Sequence, residues 1–500
     1  MFYRNSKVYN NKMDYKEYAP ISFDKNVDFE KASSEFGACK LSYNFDYKDG
    51  CLIDGIGISE FKEKYSFSNE CVRDVNFQNK SIRNCYFRRV LNRAPKQFWA
   101  VMMLIDTNYN FYYYLANEYN ATLTKIDQLS NIDINNVATI HINGAEHLAF
   151  MDTSHTVHFW EPHVSQLNIT TSPTFPTFRS MCTHNNRIYL VEFLDNTNQV
   201  LYSEDYNTYG LNLGNKYSGC INMNDNYGKA VKVFVFKDEV YIVRRHALSR
   251  VVQKKDKVAL DYENIFCTDS VIEFDTVAIC DDKVIFMSTD GMYEFDGRNV
   301  KNIPCEYFDK IEKVNMFDKG AYANGFYYLS CRLEWPDNDN YMYSGYGEQY
   351  INSVITYEVK TGKFRLLRGI HIVSFVPVVD DYNAKMGVVY LDGSNSRLFG
   401  EFDNSGNFKS DSVKKKWTSK QYDFGDANNY KYIKQMKLIT NADVTVNLYF
   451  DNKVKLVKLT GKSTMQTIKI NQKTKLFGFG FESNSNKNKI SNIKFLVGKL

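Results

Sequence analysis

Residues 277–297 read VAICDDKVIFMSTDGMYEFDG. Two short apolar runs, Val284–Met287 and Met292–Phe295, are joined by Ser288-Thr289-Asp290-Gly291. Asp-Gly between β-prone runs predicts a tight hairpin, with Gly291 supplying a positive φ. A second polar turn, Cys280-Asp281-Asp282-Lys283, places another strand before the hairpin, and Asp296-Gly297 closes it. The stretch therefore predicts most of one small antiparallel sheet, with the DGMYEFDG hairpin as its outer strands.

The unit recurs along the chain. A polar turn followed by an aromatic or β-branched run is found at 143–150 (NGAEHLAF), 184–191 (HNNRIYLV), 236–243 (FKDEVYIV), 281–287 (DDKVIFM), 323–330 (ANGFYYLS) and 383–391 (NAKMGVVYL). A less regular copy lies at 98–115. Equivalent positions Leu148, Tyr189, Tyr241, Ile285, Tyr328 and Val389 are 41, 52, 44, 43 and 61 residues apart. Spacings of about 40–50 residues are those of four-stranded propeller blades. The expectation is an all-β chain with a β-propeller of about seven blades (six to eight) over 96–410. An N-terminal arm and hairpin region precedes it over 1–95, and a C-terminal β-sandwich follows over 411–500.

Composition agrees with this. Of 500 residues, 37 are Tyr and 36 Phe against 8 Pro, a balance that favours pleated surfaces. Within 34–61, Leu41, Tyr43, Phe45 and Tyr47 alternate with polar residues up to Asp49-Gly50, which predicts a hairpin. Residues 411–500 have no Cys, Pro or Arg and carry closely spaced alternating runs, a sandwich pattern in whose core Trp417 is expected to pack. The ten Cys contain no CxxC pair; they could form five disulfides, but reduced core thiols suit a long chain whose start, MFYRNSKVYNNKMDY, has no secretory h-region. No apolar run is long enough to span a bilayer, so no membrane partner is expected.

Together, the arm, the DGMYEFDG-type hairpins and the sandwich opened by WTSKQYDFG (417–425) resemble structural proteins of tailed phages. The likeness is to β-propeller proteins of the tail or head–tail connector, including nozzle-type tail tube proteins. VLYSED (200–205), MYEFDG (292–297) and LFGEFD (398–403) look like one recurring blade ending. The resemblance implies a virion protein made in the host cytoplasm. It implies a homo-oligomeric ring, hexameric by tail symmetry, that meets other tail or connector proteins and passes DNA without sequence specificity. A carbohydrate- or receptor-binding propeller is the alternative, with Tyr341, Tyr343 and Tyr346 as stacking platforms; an enzyme is a third.

Site motifs point away from chemistry. Five of eight His cluster at His141, His147, His155, His158 and His163, but His155 and His158 are three apart, on opposite faces of a strand. They read as core or surface residues. Ser288-Thr289-Asp290-Gly291 resembles the sialidase Asp-box S-x-D-x-G-x-x-W, yet Gly follows Asp directly and Phe295 stands at the Trp position. Asp337, Asp339 and Glu348 fit three positions of a calcium loop, but Tyr341 and Met342 stand where a ligand and the turn glycine are required. GxxxxGK[ST], GxSxG and HExxH are absent. The expectation is no catalytic residue, no cofactor and no metal.

Charge is uneven. Residues 411–500 hold 18 Lys against six acids (Asp411, Asp423, Asp426, Asp443, Asp451, Glu482), a net +12. The whole chain is +4, which leaves −8 for 1–410. A basic domain of this kind is either a solvated surface or a dock for an acidic partner. A neighbouring subunit's body is favoured over DNA, because arginine, the better phosphate fork, is missing.

Overall fold

The computed structural model describes residues 15–21, 39–60, 62–64, 72–74, 82–91, 98–106, 110–116, 121–130, 132–142, 145–152, 154–160, 169–172, 175–185, 187–193, 198–204, 218–253, 259–311, 317–333, 353–379, 384–391, 397–408, 411–424, 426, 428–451 and 453–499. These form two compact units. The larger comprises 60–364 and 368–402; the smaller comprises 1–59, 365–367 and 403–500.

Short hairpins build the larger unit. Where the first strand of a blade turns into the second, two-residue loops carry left-handed residues. Lys237-Asp238 have φ of 48° and 62°, and Asn324-Gly325 have 50° and 81°. Positive φ at both central positions is the primed turn whose twist matches its strands, and Asn, Asp and Gly tolerate it best. Asn185 and Asp281 hold the same place in their blades, with φ of 45° and 53°. Each turn-plus-run unit of the sequence is thus an inner hairpin and the second strand of a blade.

Six successive four-stranded antiparallel sheets span 82–130, 132–172, 178–222, 230–267, 272–303 and 317–368. A seventh is built on His371–Val379, Ala384–Leu391 and Arg397–Asp403. Strands follow one another in chain order within each of the first six blades, whereas in the seventh sheet Gly57–Glu60 comes next after Arg397–Asp403. The first strand of every blade lies against the inner strands of the blades before and after it, and His371–Val379 of the seventh lies against Ile82–Leu91 of the first. That circuit closes the ring: the unit is a seven-bladed β-propeller.

Second strands are apolar on both sides because each is buried between two blades. In Arg187–Glu192, Ile188 and Leu190 pack toward blade two with Ile140, Met151 and Phe159. Tyr189 and Val191 pack toward blade four with Val233, Val240 and Ile242. The same layering joins blades four and five through Tyr241, Val243, Phe286 and Phe295. Burial of each such side chain is worth about 1.5–3 kcal/mol, so the inter-blade layers are the main source of stability.

Three features differ from expectation. The DGMYEFDG hairpin joins strands two and three of blade five, Lys283–Ser288 and Gly291–Phe295, so it is the middle of the blade. Its loop is Thr289-Asp290, and Gly291 pairs with Ser288 without a positive φ. Glycine is favoured there for space, since a Cβ would sit 2.5 Å from the Asn302 amide nitrogen. The three acidic endings at 200, 292 and 398 belong to third strands, equivalent positions in blades three, five and seven.

The smaller unit is a β-sandwich. One sheet runs Phe45–Lys48, Cys51–Asp54, Lys489–Lys499, Lys431–Thr440, Lys462–Thr474, with Tyr15–Ile21 also paired to Lys489–Lys499. The other runs Cys39–Tyr43, Lys415–Ser419, Phe477–Ser483, Val444–Phe450, Lys453–Leu459. Trp417, fully buried, packs on Phe479 and Phe481 and donates from Nε1 to the Tyr47 hydroxyl at 3.1 Å.

The boundaries at 95 and 410 therefore move. The 39–54 hairpin completes the sandwich, with Leu41 and Tyr43 paired to Thr418 and Lys416. Strand Ile82–Leu91 opens blade one. Alternation marks a strand's apolar face but not which sheet it joins. The arginine-rich run IRNCYFRRVL also lacks the turn signal of the other blades. Described cysteines are free thiols, with Cys39, Cys280 and Cys331 buried.

Candidate functional site

Every first strand is irregular where it pairs with the second. One extra residue interrupts the pairing in blades one, three, four, six and seven: Ile82/Asn84, Phe178/Ser180, Ala230/Lys232, Phe317/Gly320 and Ile372/Ser374. Blades two and five insert three, between Asp133 and Ala138 and between Glu273 and Ala278. Bulges release carbonyls from the ladder and re-aim side chains. Here the neighbouring blades satisfy them. Lys232 Nζ of blade four donates to Phe274 O at 3.3 Å and Val277 O at 2.9 Å in blade five. Tyr327 OH of blade six donates to Thr276 O at 2.8 Å, and Lys319 Nζ donates to Val373 O of blade seven at 3.4 Å.

Asp275 stands in the wide bulge of blade five. Burial raises its pKa, while Lys232, Lys319 and Arg179 from three other blades pull it down. Lys232 is lowered by its own burial, against Asp275. Glu273 is raised by burial and by Asp275, with Arg245 opposing. These groups form one continuous polar field on blades three to six.

Beside this field, blades three and four enclose a cleft of about 600 Å³. Arg179, Lys229 and Arg245 contribute cations, Glu192 the carboxylate, and Asn226 and His246 further polar groups. His246 Nδ1 lies 2.9 Å from Ser270 O, which orients the ring. The loop that forms one wall is held from behind by Arg244, whose side chain is fully buried. Arg244 grips the Asp225 carboxylate with both Nη atoms and donates to Gly228 O from Nε at 3.0 Å and Nη2 at 2.8 Å. Asn264 Nδ2 donates to Asp225 Oδ2 at 2.9 Å, and Tyr262 OH donates to the same oxygen at 3.1 Å. The Arg244 bond, more than the others, holds Asp225 far below the usual carboxylate range. Chemically the cleft can bind a small polar or anionic group. Sequence reasoning missed it, since its residues come from strand positions such as Arg179 and Glu192 and from separate turns at 226–229 and 245–246.

His158 is buried on the third strand of blade two, with Nε2 3.1 Å from Asp152 Oδ2 and Nδ1 3.1 Å from Thr171 Oγ1. His155 sits in the preceding turn at φ 63° and is not on a strand, which corrects the reading of two faces. His147 is buried, His141 is exposed, and His163 lies outside the described residues. Among the described residues no three His, Cys, Asp or Glu converge on a metal position. In the Asp-box-like turn, Ser288 Oγ donates to Val271 O at 3.0 Å and Asp290 Oδ2 accepts from Tyr293 OH at 2.9 Å. Both polar groups are engaged in holding the hairpin. Asp337, Asp339, Tyr341, Met342, Tyr343, Tyr346 and Glu348 lie outside the described residues.

No protein-family model and no curated protein sequence matches the chain. Solved structures match it at low identity. A computationally designed protein, Ika8, is 8% identical, with 77% of this chain and 99% of that one covered and a TM-score of 0.37. The β-propeller domain of the Trilobed protease from Pyrococcus furiosus is 12% identical, with 64% and 95% covered, TM-score 0.37. BamB from Moraxella catarrhalis is 9% identical, with 78% and 98% covered, TM-score 0.37. The chain's own seven sheets and their closed circuit define the fold.

Proposed function

We propose that this chain is a structural subunit of a virus particle, forming a ring or tube section of a phage tail or head–tail connector through which DNA passes. The role is mechanical rather than enzymatic. The observation that carries the reading is the segregation of charge between the two compact units. The sandwich unit holds +12 and the propeller unit −8. A subunit with opposite charges on separate bodies suits repetition around an axis, basic part to acidic part, with long-range attraction steering assembly.

Negative-stain imaging of the purified full chain tests this. Rings or short tubes at low salt are the expected result. Dispersed monomers at all concentrations would overturn it. The cleft between blades three and four favours one second reading, a propeller that binds an acidic sugar or a receptor. Binding on a glycan array, lost on substitution of Arg245, would support that reading instead.

A further inference from the structure

The two flanks of the sandwich are unlike. On one, the chain's own 365–367 segment covers the outer strands: Asn44 N–H donates to Leu366 O at 2.9 Å, and Arg365 pairs with Asp46 at 3.2 Å. On the other, Lys453–Leu459 ends one sheet and Lys462–Thr474 ends the other. Thr460-Gly461 joins them, and Lys455 Nζ donates across to Lys469 O at 3.3 Å, so the two sheet edges lie on the same side. Val454 and Leu456 are 60% and 66% exposed, and Met465 is 43% exposed. Three of the four exposed large aliphatic side chains among the described residues fall in this hairpin.

Register assigns each side chain a direction. Lys455 and Lys453 oppose Leu448 and Phe450, at positions whose side chains point toward the core side. Lysines at inward positions of an edge strand obstruct addition of a further strand. Val454 and Leu456 oppose Tyr449 and Asn447 and project from the outer face. The surface is therefore built for side-chain docking and not for extension of the sheet. Between Asp451 and Glu482 the chain has seven lysines and no acidic residue, so its occupant must be acidic. Pairing with the same flank of another copy would set lysines against lysines, which is unfavourable.

We propose that the Lys453–Met465 flank of the sandwich docks on the acidic propeller unit of a second copy of this chain, with Val454 and Leu456 as apolar anchors inside a lysine rim. This rests on the assembly reading above and names the surface that performs it. The contact is head-to-tail, so it closes a ring or continues as a tube.

Sedimentation velocity of the full chain at low and high salt tests it, comparing wild type with Val454→Ser/Leu456→Ser and with Lys453→Gln/Lys455→Gln/Lys458→Gln. All these positions are exposed, and unchanged thermal unfolding confirms that each variant folds. The expected result is self-association that salt weakens and that falls at least tenfold in both variants. If wild type and variants assemble alike, this surface is wrong while the assembly reading stands. If wild type stays monomeric at every concentration, both fail. If the lysine variant loses binding to a short DNA duplex while self-association is unchanged, the occupant is nucleic acid and the proposal is overturned.

Discussion

Lys415 Nζ lies 3.7 Å from Asp54 Oδ1, inside the sandwich, where the lysine side chain is fully buried and the aspartate nearly so. Lys415 also donates to Ser485 O at 2.8 Å, and Asn488 donates to the same carboxylate from N at 3.1 Å and Nδ2 at 2.7 Å. The group ties a strand near the start of the chain to the loop that precedes its last strand. Burial lowers the Lys415 pKa, and Asp54 opposes that shift.

Removing one partner of this pair is expected to be severe. Asp54→Ala leaves a buried ammonium uncompensated and should cost about 3–5 kcal/mol. Replacing both, Asp54→Leu with Lys415→Met, should recover much of that loss. Thermal unfolding of the three proteins checks it, and an Asp54→Ala Tm within a degree of wild type would refute it.

Acid should loosen the wall of the cleft first. The Asp225 pKa is depressed by Arg244, so the unfolded state binds the proton more readily. The stability this supplies is complete above the unfolded carboxylate value of about 3.9 and declines as pH falls below it toward the folded value. Asp225→Asn should flatten that decline and lower stability at pH 7. Denaturant unfolding between pH 7 and pH 2 measures both.

Two glycines should respond differently. A Cβ on Gly320 would lie 2.4 Å from Thr276 O and 2.8 Å from Thr276 Cα, across the blade five–six contact. Gly320→Ala should therefore destabilise by about 1–3 kcal/mol through backbone displacement. Gly291→Ala meets only the end of the Asn302 side chain and should cost less than Gly320→Ala. Equal Tm shifts for the two variants would contradict the packing described.

Truncation at residue 410 should not leave a clean propeller. Tyr43, Phe45 and Leu52 are buried by strands from 415 onward, and losing those partners exposes them. The truncated chain is expected to aggregate. A second truncation that also omits 1–59 should be the more soluble one, measured by light scattering.

Much of the fold was legible in the residues because its signals are local. Polar turns such as Lys237-Asp238 and Asn324-Gly325 need only their own backbone conformation, and the runs after them are apolar on both faces because every second strand lies between two blades. The spacing of those runs implied the blades, and Trp417 marked the sandwich core. Tertiary structure alone decided the rest. Pairing of Cys39–Tyr43 with Lys415–Ser419 spans most of the chain, and no short pattern encodes a partner so remote. Ring closure by His371–Val379 on Ile82–Leu91 is likewise a long-range contact. The inner-strand bulges leave no composition signature, since an extra residue is defined only against the strand opposite. Arg179, Arg245 and Glu192 meet at one cleft because the ring brings strands of blade three beside a turn of blade four. The sequence by itself determined which segments are strands and which faces are apolar. Which strand meets which, and so where charges converge, depended on the chain closing on itself.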